Sequence, residues 1–188
     1  MVLREQWFSR WSSGSTSGTL QNVRRMSVRV RALEAADAPL LWDYLRLSIF
    51  VRPGDPPTPA DLVYRPEIAC YVADWGRYGD DGMLAVDDTT GADLGAAWLR
   101  LWPDMETGYG FVDRSTPELT IAVRPEHRGR GIGACLLDAL LDRASLRHRA
   151  VSLSVSLENP AVALYQRHGF RAIAESSGTL VMRCTFAR

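Results

Sequence analysis

Residues 118 to 134, Glu-Leu-Thr-Ile-Ala-Val-Arg-Pro-Glu-His-Arg-Gly-Arg-Gly-Ile-Gly-Ala, constrain this chain more than any other stretch. Leu119, Ile121 and Val123 alternate with Glu118, Thr120 and Ala122, which is the period of a strand. A glycine- and arginine-rich turn follows, and then Ile132, Leu136, Leu137, Leu140, Leu141 and Ala144 mark one face of a helix predicted over residues 131–147. Strand, glycine turn and helix in that order form a cradle for an anion. Gly129, Gly131 and Gly133 let backbone N–H groups approach closely, the helix N-terminus adds partial positive charge, and Arg128 and Arg130 add full charges. Each charge-assisted hydrogen bond to such a ligand contributes roughly 1.5–3 kcal/mol.

The chain has 188 residues, 46% of them apolar, enough for one well-buried domain. Residues 1–25 stand apart: five serines lie between Ser9 and Ser17, and four arginines face one acid. They read as a disordered N-terminal extension or an arginine- and serine-rich transit segment, with the domain over 26–188. The first strand is expected at 27–31 and a helix at 36–50. Four prolines make 51–59 a loop, and 59–75 reads as helical with an interruption near Pro66. A hairpin over 82–87 and 95–101 precedes the strand at 118–123. A strand at 151–157 leads to Asn159 and Pro160, which suit a helix start; Gly169 suits its end, and strands at 170–174 and 180–186 close the chain.

The formal net charge is zero, yet residues 50–113 hold 12 acids and 4 arginines, whereas 114–188 hold 11 arginines and 6 acids. An acidic half beside a basic one suits an anionic cofactor and a cationic acceptor. All 22 basic residues are arginine, which excludes lysine-based chemistry such as a Schiff base. Cys70, Cys135 and Cys184 lack metal-type spacing and read as small core residues, so no metal is expected. No run of 18 apolar residues and no secretory signal pattern are present, so the expectation is a cytoplasmic protein without membrane or nucleic-acid partners.

A second cluster sharpens the first. Asn159-Pro160-Ala161, Leu164, Tyr165, Gly169 and Phe170 match an Asn-x-x-Ala-x-x-Leu-Tyr and Gly-Phe signature in part, and Arg128, Gly131 and Gly133 match an Arg-x-x-Gly-x-Gly pattern. Together they resemble the GNAT N-acetyltransferase superfamily. A dinucleotide fingerprint through Gly129, Gly131 and Ala134 fits poorly, because five residues separate the strand from its first glycine and no acid ends a strand about 20 residues later.

The resemblance implies an α/β fold: a single GNAT-like domain with a mixed, mostly antiparallel sheet of about seven strands and about four helices. Its sheet should splay between 118–123 and 151–157. It implies acetyl-CoA as co-substrate, held by Arg128, Gly129, Arg130, Gly131, Ile132, Gly133 and Ala134 at the pyrophosphate. The backbone of Ile121, Ala122 and Val123 and the side chain of Asn159 would meet the pantetheine arm. Glu118 takes the general-base position and Tyr165 faces the thioester sulfur, with Asp104, Glu106 and Asp113 as competing acids. His127 lies beside the turn, and Trp98 and Trp102 share a strand face where they could wall the acceptor pocket. The implied reaction is direct acetyl transfer to a primary amine, on a small molecule or a peptide, by a monomer or homodimer. The alternative is a non-catalytic acyl-CoA-binding sensor or interaction module.

Overall fold

A computed structural model describes residues 27–102 and 107–187, so the reading of 1–25 lies outside the described residues. One seven-stranded sheet organises them. Its strands are β1 (Val28–Ala32), β2 (Asp81–Asp87), β3 (Asp93–Arg100), β4 (Glu118–Val123), β5 (Ala150–Ser156), β6 (Arg171–Ser176) and β7 (Thr179–Thr185), in the spatial order β1-β2-β3-β4-β5-β7-β6. Every neighbouring pair is antiparallel except β4 and β5, which run parallel and meet at one register position, Glu118 opposite Ser152. Beyond that position the two strands diverge toward their C-terminal ends. The splay expected between them is therefore present.

Alternation along the strands gives the sheet two apolar faces. Leu119, Ile121 and Val123 of β4 join Ala97, Leu99, Val151, Leu153 and Val155 against helix α3 (Ile132–Ser145), where Leu136, Leu137 and Leu140 are fully buried. Complete burial of each such leucine contributes about 1.5–3 kcal/mol. Ala122 faces the other way, with Leu84, Ala96 and Trp98 packing on Leu41, Tyr44 and Leu45 of helix α1 (Ala38–Ser48). Glu118 shares that second face.

The expected helix over 59–75 is much shorter. Pro66 cannot donate an N–H and disfavours helical geometry in the residue before it, so the segment becomes a 3-10 turn at Leu62–Tyr64 and a single turn of helix, α2 (Pro66–Ala69). The buried Arg100 guanidinium holds the turn that follows. It pairs with Asp80 at 2.8 Å, both side chains 1% exposed, and donates to the carbonyls of Cys70 and Ala73. Trp98 adds a bond from Nε1 to the Tyr71 carbonyl at 3.0 Å. Tyr71 is thus pinned from both sides. The core reading also fails for Cys135, which is exposed because it follows Ala134 onto the outer face of α3. Among the described residues no helix is long and apolar enough to cross a membrane.

Candidate active site

Where β4 and β5 part, a cleft of about 960 Å³ opens. Ile121, Ala122 and Val123 form one wall; Asn159, Ala161, Leu164 and Tyr165, on and before helix α4 (Ala161–Arg167), form the other. Its floor is the glycine turn, with Arg128, Gly129, Gly131, Ile132, Gly133 and Ala134 all exposed to the cleft. Arg130 does not line it. Residues 46–51 and 55–58, from the end of α1 and the proline-rich loop, close the third side. None of these was expected as a site residue: 46–50 read as the end of a helix, and 51–59 as a proline-rich loop that could cover a site.

The turn is shaped as a phosphate cradle requires. Gly129 has φ +73° and Gly131, at the N-terminus of α3, has φ +83°, both in the left-handed region that other residues avoid. A Cβ added at either glycine would meet no atom within 4 Å, so the space above the backbone is open to a ligand. At Gly133 a Cβ would lie 3.4 Å from Leu164, an ordinary contact where α3 and α4 converge. Arg128 does more than supply charge. Its Nε donates to the Val123 carbonyl at 3.0 Å and its Nη2 to the Leu47 carbonyl at 3.4 Å, tying the ends of β4 and α1 to the turn. His127 also lines the cleft, with Nδ1 buried and without a hydrogen-bond partner among the described residues.

Asn159 performs the capping role its position suggested, two residues ahead of the helix start at Ala161. Its Oδ1 accepts the Ala161 N–H at 2.9 Å. Tyr165 is 8% exposed and packs edge-to-face on Phe170, ring centroids 5.9 Å apart. Burial alone pushes its phenol up to about 12, so the hydroxyl stays a proton donor throughout the neutral range.

Glu118 lies behind the cleft and does not line it. It is 2% exposed, and three donors converge on its carboxylate: Tyr71 Oη at 2.8 Å and Gly110 N at 2.7 Å on Oε1, and Trp102 Nε1 at 2.9 Å on Oε2. Burial raises its pKa above the ordinary carboxylate value, and the three hydrogen bonds oppose that rise. Tyr71 in turn accepts from Tyr109 N at 2.7 Å, and its phenol is pushed upward by burial and by the adjacent carboxylate. Tyr71 stacks edge-to-face on Trp102 at 5.0 Å. Residues 108–110, Gly-Tyr-Gly, lie directly over this box as a strap. The tryptophans therefore serve the carboxylate: Trp102 bonds to it, and Trp98 fixes Tyr71.

Among the competing acids, Asp113 is exposed and accepts from Ser115 Oγ and N and from Thr116 Oγ1, bonds that hold its carboxyl below the usual range. It caps a turn. Asp104 and Glu106 lie outside the described residues.

Known proteins share this fold. The model of the acetyltransferase (GNAT) domain matches residues 69–172. L-methionine sulfoximine/L-methionine sulfone acetyltransferases of Pseudomonas aeruginosa and Pseudomonas paraeruginosa are 36% identical over 90 residues, 47% of this chain; the match spans about half of their length, 49%. Among solved structures, yncA from Salmonella typhimurium, solved with its cofactor acetyl-CoA, superposes with a TM-score of 0.61 at 21% identity, covering 86% of this chain and 95% of its own. A GCN5-related N-acetyltransferase from Kribbella flavida gives 0.56 at 24% identity, covering 85% and 98%. With the domain model spanning more than half the chain and the glycine turn, the splay and Asn159 in their places, this chain belongs to the GNAT acetyltransferase family.

Proposed function

We propose that the protein transfers an acetyl group from acetyl-CoA to a primary amine on a small molecule. The observation that carries this reading is the open cleft itself: a left-handed glycine turn with free space above it, leading into the gap between β4 and β5. Acetyl-CoA, when bound, supplies an activated acyl thioester. The N–H groups of the turn and the first turn of α3 would hold its pyrophosphate, with Arg128 and Arg130 adding charge. Exposed backbone of Ile121 to Val123 along the splay would meet its amides, and a backbone N–H near Val123 would polarise the carbonyl. Asn159 remains beside that path.

The acceptor amine must lose a proton. A lysine-like amine with a pKa near 10.4 is protonated at pH 7, and freeing it costs about 4.6 kcal/mol. We assign Glu118 as the group that takes this proton. Three donors fill three of its roughly four lone-pair positions, Gly108 packs against the Oε2 that holds the fourth, so the proton has to reach the carboxylate past that strap, and burial makes it a stronger base than a solvated one. Tyr165 is assigned to donate to the departing sulfur. The relatives named as acting on methionine sulfoximine and methionine sulfone favour a small amine as acceptor over a peptide.

One observation favours a second reading, an acyl-CoA-binding module that transfers nothing: the strap over Glu118 leaves it no surface in the cleft. The same experiment separates the two. Acetyl-CoA should raise the melting temperature, by the equivalent of about 2.7 kcal/mol at 100 times its dissociation constant. Gly131→Val should abolish that rise. Free thiol should then appear only when an amine is added, with the acetylated product identified by mass spectrometry across a panel of amino-acid and polyamine acceptors. A thermal shift with no thiol release for any amine would leave the binding module as the function.

A further inference from the structure

A second concavity, of about 640 Å³, lies on the outer side of α1 and shares no lining residue with the acyl cleft. Three elements bring aromatic rings to it. Trp42 comes from α1, Tyr64 from the 3-10 turn that follows the proline-rich loop, and Trp75 from the turn after α2. The Trp42 and Tyr64 rings pack on one another in a tilted stack, centroids 5.4 Å apart and planes inclined by 31°, leaving the outer ring faces to line the concavity. Both tryptophans are half-buried against the core, so the wall is backed by packed protein, while Tyr64 is 68% exposed and presents its ring to solvent.

The charged residues lining this concavity are Asp43 and Asp74, both exposed, and neither makes an ion pair among the described residues. Asp74 holds φ +53°, the left-handed conformation that few non-glycine residues adopt. The N-terminus of α1 at Ala38 and Pro39 adds a partial positive charge of about half a unit, which the two full negative charges outweigh. Aromatic faces attract cations through their negative quadrupole, and two unpaired carboxylates at the same mouth add net negative charge.

We propose that this concavity is a binding site for a compact alkylammonium cation, separate from the acyl cleft. The aromatic wall takes the methyl-bearing or methylene-bearing face of the cation, and Asp43 and Asp74 supply the counter-charge. An anion is repelled by that combination, and a neutral ligand lacks the charge attraction to the carboxylates and ring faces. The site adjoins the reaction centre through one residue: Val72 lines the concavity, and the preceding Tyr71 carries the hydroxyl that bonds to Glu118.

The test uses choline and its neutral isostere, in which carbon replaces the ammonium nitrogen, titrated into the full chain by tryptophan fluorescence and by saturation-transfer NMR. Choline should saturate, and bind at least about ten-fold more tightly than the isostere. Asp43→Asn with Asp74→Asn should weaken choline by a similar factor; asparagine tolerates the left-handed conformation, so the fold is kept. Trp42→Leu should abolish it. Saturating acetyl-CoA should leave the affinity within about two-fold, the shift expected of a separate site. Equal affinity for the isostere, unchanged affinity in the double Asp variant, or competition with acetyl-CoA would each overturn the proposal.

Discussion

Glycine does opposite work at the two ends of β4. Past its C-terminal end, Gly129 and Gly131 keep space empty, and an added Cβ would touch nothing. Over its N-terminal end, Gly108 and Gly110 let the chain itself fill the space. A Cβ at Gly108 would lie 2.2 Å from Glu118 Oε2, and one at Gly110 would lie 2.5 Å from the Leu153 carbonyl carbon and 2.6 Å from Ser154 N. One end of the strand is kept open for a ligand and the other is sealed around a carboxylate. Identical residues thus mark a binding surface in one place and an internal packing contact in the other, and only the surrounding atoms tell them apart.

The sharpest way to break this contrast is a pair of alanine variants. Gly110→Ala drives a methyl group into backbone atoms of β5 that cannot yield, and should cost about 3 kcal/mol in urea denaturation, the upper part of the overpacking range. Gly131→Ala meets no atom and bears only the left-handed strain, about 1–2 kcal/mol. Equal costs at the two positions would mean that the strap rests loosely on β5. The seal would then be no different from the open end.

Tyr71→Phe probes the seal from the side chain. It removes the donor to Glu118 Oε1 and the acceptor for Tyr109 N–H, leaving a buried carboxylate lone pair and a backbone N–H short of partners. A loss of about 2 kcal/mol follows from unsatisfied buried groups. Faster hydrogen exchange at Tyr109 and Gly110 would accompany it.

The two ends also differ in how far they were legible in the sequence. The open end announces itself within one contiguous stretch, because a strand period, three glycines and a helix period follow in order. The same holds for the order of elements along the chain and for the cap at Asn159. At the sealed end, Glu118 was identifiable from its strand position, but its partners come from residue 71 on one side and residues 102 to 110 on the other. Nothing in local periodicity links Tyr71 to Glu118; that contact depends on a buried Arg100 drawing the α2 turn onto β3. The proline-rich loop could be read as a cover for a site, but which of its residues face the cleft could not, since such a loop has no period from which a facing direction can be read.

Glu118→Gln should have a smaller effect on stability, because two changes offset. Oε1 can still accept from Tyr71 and Gly110, but the new amide faces the Trp102 N–H, a donor meeting a donor, while the burial of a charge is relieved. The net loss at neutral pH should be about 1 kcal/mol. Its pH dependence has a definite sign. With the folded-state pKa raised, the native protein keeps a proton that the unfolded chain has lost. The contribution of Glu118 is full below the unfolded value and declines as pH rises through the raised one. Wild type should therefore lose stability relative to the variant across that window, and parallel urea curves at each pH would contradict the raised pKa. Acetyl transfer by the variant should fall most near pH 6–7 and recover as pH approaches the amine's own pKa.

Tyr165→Phe should barely change the fold and yet slow the reaction, which makes it the finest probe of the open end. Its phenol is shifted by burial alone, so removing the hydroxyl should leave stability within about 0.5 kcal/mol, and the edge-to-face packing on Phe170 is retained. Acetyl-CoA should still raise the melting temperature as in wild type, since the phosphate contacts lie at the glycine turn. Turnover should fall at every pH up to about 9, where a thiol with pKa near 8.5 leaves unaided as thiolate. This flat profile differs from the one expected for Glu118→Gln, whose defect is greatest near pH 6–7 and shrinks steadily as pH rises. If the two variants gave the same profile, the carboxylate and the phenol would not be acting on different protons, and the assignment of one to the amine and the other to the sulfur would fail.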